Sequence, residues 1–177
     1  AVGCWRLDAV LPDVRSGVFP NGMEYLRSGA GPRTLLVMIG SPLRGAPPNR
    51  LVQRTAVLMY RPYLDAGYTV WAVGRRRTMP QGHAITDMAD DYAALIEDQF
   101  GGAVDLAVGE SFGGMVGQYL AARHPDQFRH LALIVTGCEL SPWSEEIDRR
   151  FIAALRAGET AATGAVWLEY FMPHGNG

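Results

Sequence analysis

Five residues, Gly109-Glu110-Ser111-Phe112-Gly113, constrain this chain more than any other stretch, because they set a serine between two glycines where a strand meets a helix. Ahead of them, Ala103 to Val108 is apolar enough for a buried parallel strand, and behind them Met115 to Ala122 has helical spacing. A strand that turns directly into a helix needs a sharp, strained backbone turn. Glycines two positions either side let the two elements approach without a Cβ clash. The serine oxygen then projects from the turn, which makes Ser111 a candidate nucleophile. The spacing G-x-S-x-G alone is a short pattern, and its strand-turn-helix context is what gives it weight.

The rest of the chain alternates in the same way. After an irregular opening, Met23 to Arg27 alternates like a half-exposed strand, and Arg33 to Ile39 is a continuous apolar run suited to a central strand. Leu51 to Leu64 has the length and spacing of a helix, stopped at Ala66-Gly67, and Tyr68 to Val73 follows as a strand. Thr86 is placed to cap a helix carrying Met88, Tyr92, Leu95, Ile96 and Gln99 on one side, closed by Gly101-Gly102. His130 to Val135 supplies a further strand. Strands separated by helices imply right-handed crossovers and a mostly parallel sheet with helices on both faces, an α/β fold. Ligands of such sheets sit beyond the carboxyl ends of the strands, here Gly40-Ser41, Gly74-Arg75, Ser111 and Gly137-Cys138. From Ser141 the pattern changes to two amphipathic helices, marked by Ile147, Phe151, Ile152 and Leu155 and then by Val166, Trp167, Tyr170 and Phe171.

With 177 residues and 48% hydrophobic content, the chain can bury one sizeable core. A net charge of -2 argues against nucleic acid or an anionic membrane surface as a partner. All sixteen basic residues are arginine, so lysine chemistry of the Schiff-base or P-loop kind is excluded within these residues. Cys4 and Cys138 are too few and too far apart for a zinc pattern or a disulfide framework; two buried free thiols are the expectation, and a single bridge between them is the alternative. No run has the length of a membrane span, and no signal-like segment opens the chain. A cytoplasmic location is the expectation, and a signal peptide already removed is equally compatible.

The order of these elements resembles the amino-terminal half of an α/β-hydrolase. Met38-Ile39-Gly40-Ser41-Pro42 resembles that superfamily's oxyanion loop, Leu64-Asp65-Ala66-Gly67-Tyr68 the lead into its fourth strand, and Gly109 to Gly114 its nucleophile elbow. The similarity runs from about Asn21 to Gly137. It implies an α/β-hydrolase-like core over 1–140, its carboxy-terminal core strands absent, and the first helices of a cap over 141–177. Ile39 stands where many members carry a histidine.

The same resemblance implies a serine hydrolase acting through an acyl-enzyme on a small-molecule ester or related acyl substrate, with neither metal nor other cofactor. Serine at the elbow, where the family's dehalogenases and epoxide hydrolases carry aspartate, disfavours those chemistries. It assigns Ser111 as nucleophile and the backbone N–H groups of Ser41 and Phe112 as oxyanion donors. The alternative is a non-catalytic member of the fold that serves as a binding or interaction module. Family members carry their catalytic acid and histidine after the cap, so both are expected outside this chain, with a second chain or self-association completing the sheet.

Candidates for those roles within the chain are weak. His124 and His130 read as structural, His83 as a loop or substrate-contact residue, and His174 follows the second cap helix. Glu139 follows the sixth strand at the correct edge and is the better carboxylate, although a solvated loop glutamate is the ordinary reading. Glu110 reads as a structural hydrogen-bonding group. Arg75-Arg76-Arg77 is either an anion-recognising group or a solvated basic loop. Trp143, Trp167, Phe171 and Met172 suit either an apolar acyl pocket or packing of cap on core. No substrate-binding residue is assigned.

Overall fold

A computed structural model describes residues 14–40 and 50–169, with side chains from 55 onward in the second stretch. They fall into two compact units divided between Thr136 and Gly137. The first holds a sheet of six strands: β1 (Val14–Val18), β2 (Met23–Ser28), β3 (Arg33–Met38), β4 (Tyr68–Arg76), β5 (Leu106–Glu110) and β6 (Leu131–Ile134). Their spatial order is β1-β2-β4-β3-β5-β6. From β4 to β6 every pairing is parallel, whereas β1 and β2 join antiparallel. The expected mostly parallel α/β architecture is therefore present.

Strand alternation assigns the two faces. Leu36 and Met38 of β3 point into a core with Val73, Tyr92, Leu95, Ile96, Val116 and Leu120, which belongs to α2 (Ile85–Phe100) and α3 (Phe112–Arg123). Leu35 and Val37 point the other way, joining Val70, Ala72, Val108 and Tyr60 under α1 (Arg50–Asp65). Because β3 is buried on both faces, its sequence reads as one apolar run rather than an alternating one.

Several boundaries differ from those read in the sequence, each for a local reason. The opening stretch contains β1, whose sequence VRSGV is largely exposed and carries no apolar signal; it is an edge strand held by pairing with β2. β2 is mostly buried rather than half exposed, because it lies between β1 and β4. β5 begins at Leu106, and Val104 makes only an isolated bridge with Phe128. Thr86 is not the cap of α2: the helix starts at Ile85, and the Asp87 carboxylate accepts the Ala84 N–H at 2.8 Å. Its end at Gly101, φ 71°, is the left-handed stop that the glycine pair implied. β6 excludes His130 and Val135.

The second unit is a helical hairpin. Its helices are α4 (Pro142–Ala157) and α5 (Thr160–Glu169). Ser141 caps α4 by accepting the Ser144 N–H, and Gly158, φ 73°, ends it. Phe151 and Trp167 rings meet at 5.6 Å, and Arg150 grips Glu169 through two bonds of 2.7 and 2.8 Å. Among the described residues no helix is long and apolar enough to cross a membrane.

One buried bond ties α2 to the strand ends where ligands are expected. Tyr92, 1% exposed, donates its hydroxyl to the Val73 carbonyl at 2.8 Å, and the same carbonyl accepts the Ile39 N–H at 3.2 Å. Burial pushes the Tyr92 phenol well above its ordinary range, so it remains a donor. Replacing Tyr92 with Phe leaves the carbonyl one partner, so urea unfolding should report a loss of about 1 kcal/mol and no more.

Candidate active site

Ser111 occupies the turn between β5 and α3 with φ 52° and ψ -121°. Only one other non-glycine residue among those described, Val135, has positive φ. Such a conformation costs on the order of 1 to 3 kcal/mol and persists only where its surroundings force it. The turn's own bonds supply that force: Ser111 donates its N–H to the Ile134 carbonyl at 2.9 Å, and its carbonyl accepts the Gly114 N–H at 2.9 Å. A serine at a helix N-cap ordinarily turns its oxygen back onto the first turn. Here it makes no such bond, and the residue is exposed.

Backbone surrounds this turn at distances that no side chain would permit. A Cβ on Gly113 would lie 2.0 Å from the Met38 carbonyl oxygen, and one on Gly109 would lie 2.6 Å from the Gly114 Cα. Gly114 faces Thr136, which a Cβ would meet at 2.5 Å. On the other side a Cβ on Gly40 would reach Ser111 Cβ at 3.0 Å and Phe112 N at 3.2 Å. The end of β3 and the turn after β5 are thus in backbone contact. Phe112 opens α3, so its N–H has no intrahelical acceptor and faces outward at the positive end of the helix.

A scan of family models matches residues 45–157 to the alpha/beta hydrolase fold. The chain belongs to that family. Among solved structures it is similar to a hydrolase from Pseudomonas aeruginosa, with TM-score 0.62 and 23% identity over 91% of this chain and 60% of the other. A carboxylesterase structure from Nitrososphaera gargenis gives TM-score 0.58 and 22% identity, over 92% of this chain and 59% of that one. A thermophilic esterase from Thermogutta terrifontis gives 0.54 and 23%, over 86% and 54%. At such identities the likeness speaks to the fold, and the chain spans about three fifths of the length of the first of these structures. No curated protein matches the sequence.

Within this hydrolase fold, other residues singled out in the sequence separate into those near the turn and those engaged elsewhere. Glu110 meets Tyr60 of α1 through a side-chain hydrogen bond, in keeping with its structural reading. Burial raises the Glu110 carboxyl, and the Tyr60 bond partly offsets this. Burial and then the neighbouring Glu110 charge push the Tyr60 phenol well above its usual range, which keeps it the donor. His83 bonds Asp91 at 2.9 Å and His124 bonds Asp90 at 2.9 Å, while His130 is exposed just before β6. No hydrogen bond joins Ser111 to a histidine among the described residues.

The arginine run is not one patch. Arg76 is held by Asp91 at 3.4 Å and by the Asn21 carbonyl at 2.9 Å, and Arg77 pairs with buried Glu24. Arg75 alone turns to the site, an environment the sequence did not disclose. Glu139 belongs to the second unit and is exposed, as is Cys138, which corrects its reading as a buried thiol. Trp143 lies in α4 and Trp167 in α5. Ser41, Cys4, His174, Phe171 and Met172 lie outside the described residues. Among the described residues no cluster of His, Cys, Asp and Glu could hold a metal.

Strain and burial each generate an expectation. Ser111→Gly relieves the positive φ and should raise unfolding free energy by about 1 kcal/mol, the gain being reduced by glycine's greater chain entropy. Ser111→Ala keeps the strain and should leave stability near that of the parent; equal gains from both substitutions would show that the turn is unstrained. Glu110 has a raised folded-state pKa, so the folded state holds its proton more tightly than the unfolded chain does. Its contribution is therefore fully present below the ordinary glutamate value and is lost as pH rises through the raised one. Denaturant titrations across that window should show a decline with pH that Glu110→Gln flattens.

Proposed function

We propose that Ser111 is the nucleophile of a serine hydrolase that acts through an acyl-enzyme on an ester or related acyl substrate. The observation that carries this is a serine at φ 52° on a strand-to-helix turn, exposed, with its oxygen unused as a helix cap. Nothing structural is gained by serine in that conformation, where glycine would be easier. The esterase and carboxylesterase descriptions of similar structures favour ester chemistry over the amide and carbon-carbon alternatives.

In the proposed reaction a general base takes the Ser111 hydroxyl proton as Oγ attacks the acyl carbon. The carbonyl oxygen gains negative charge and is met by the N–H of Phe112 and by the N–H of Ser41. One such donor contributes on the order of 3 kcal/mol. Collapse of the tetrahedral intermediate expels the alcohol, protonated by the base, and leaves the acyl group on Ser111. A water activated by the same base then releases the acid. Described histidines are held at other carboxylates or lie exposed, so the base and its orienting acid are proposed to come from polypeptide outside the described residues.

A partner strand is part of the same proposal. β6 pairs only with β5 among the described residues, and Leu133 and Ile134 are 44% and 40% exposed. An apolar strand with an open edge invites another strand, from further polypeptide or a second copy. The α4–α5 hairpin is proposed as the start of a cap.

A fluorophosphonate probe tests the central claim. In the full-length protein it should label Ser111, and Ser111→Ala should abolish labelling, whereas residues 1–177 alone should label poorly and self-associate on size exclusion. Labelling confined to another serine would sink the hydrolase reading and favour a binding module. A monodisperse, reactive 1–177 would instead refute the external base and strand.

A further inference from the structure

Arg75 is the one guanidinium of its run left without a carboxylate among the described residues. Its Nη2 donates to the Gly40 carbonyl at 3.3 Å, its Cζ lies 4.6 Å from the centroid of the Phe112 ring, and its Nε is buried without a partner. An uncompensated charge with an unsatisfied N–H is destabilising, so its placement calls for an explanation in function.

The two groups it touches supply one. Gly40 brings the end of β3 against the turn that carries Ser111, and a guanidinium bonded to its carbonyl holds that approach in place. Phe112 carries a proposed oxyanion donor on its own backbone, and its ring is the surface on which the guanidinium rests. Gly40 and Phe112 are already in close approach, since a Cβ on Gly40 would stand 3.2 Å from Phe112 N. One planar cation thus touches both the backbone beyond β3 and the residue that carries this donor.

We infer that Arg75 is a positioning residue of the oxyanion site, clamping the Gly40 peptide by a hydrogen bond and Phe112 by stacking. This rests on the proposed role of Ser111. Because the clamp acts on the transition state and not on ground-state binding, its loss should appear in kcat and in the rate of covalent capture, with KM little changed. A substrate-binding arginine would behave differently. It would raise KM, and only for substrates bearing a negative charge.

The test uses the full-length protein with neutral p-nitrophenyl butyrate, anionic mono-p-nitrophenyl succinate and a fluorophosphonate probe. Arg75→Met should slow turnover of both esters and labelling of Ser111 by on the order of ten- to a hundredfold, with KM unchanged. Arg75→Lys should stay impaired, because a point charge cannot both donate to Gly40 and stack as a planar group on Phe112. If circular dichroism shows Arg75→Met unfolded, Phe112→Leu carries the test: it keeps the N–H, removes the ring, and should slow labelling in the same direction. Equal rates in parent and variants, full activity in Arg75→Lys, or a KM rise confined to the succinate ester would each overturn the clamp. An unlabelled Ser111 in the parent protein would instead sink the hydrolase reading beneath it.

Discussion

Contact between the backbone at the end of β3 and the backbone of the turn after β5 governs the rest of this site. It is a contact without side chains. Gly113 lies so close to the Met38 carbonyl that a Cβ would stand 2.0 Å from its oxygen, and Gly40 approaches Ser111 and Phe112 nearly as tightly. Such proximity can hold only if both strands are fixed, and β3 is fixed by burial on both faces and by pairing with β4 and β5. The Asp105 carboxylate, accepting the Thr34 N–H at 2.8 Å, adds a tie at the opposite end of the same two strands. A rigid central pair thus anchors a turn whose dihedrals are unfavourable in themselves.

Much of this was legible in the sequence because it depends on local rules. Apolar runs disclosed the buried strands, and the glycines around Ser111 disclosed the turn, since glycine is the residue that close backbone approach requires. Elements stabilised by neighbours were not legible. β1 has no apolar pattern of its own and exists through pairing with β2, and the buried state of β2 follows from its place between β1 and β4, with Met23 in one core and Leu26 in the other. Asp87 replaced Thr86 at the start of α2 because a carboxylate three residues along reached the Ala84 N–H.

The arginine run shows the same limit more sharply. Three consecutive arginines look equivalent in sequence, yet strand alternation and the positions of Asp91, Glu24 and Gly40 give each a different partner. Nothing within the run distinguishes Arg75; what separates it lies on β3 and α3, far away along the chain. The described histidines teach the converse, since two have carboxylate partners brought together by folding, at separations of 8 and 34 residues.

Strain at Ser111 is not isolated. Val135, the other non-glycine residue with positive φ, directly follows β6, and the last residue of β6 supplies the carbonyl that accepts the Ser111 N–H. A β-branched residue resists that backbone conformation more than serine does. The consequence is that the chain leaves β6 abruptly, bringing Thr136 against Gly114 at the first turn of α3, where any side chain on residue 114 would collide with it. Two unfavourable turns at the carboxyl ends of adjacent strands thereby brace one another: the first exposes a hydroxyl, and the second closes the backbone behind it. Since Ser111 is bonded to the residue before Val135 and the residue after Val135 lies against Gly114, relaxing one turn would loosen the support of the other, which is how a fold of ordinary stability can keep both.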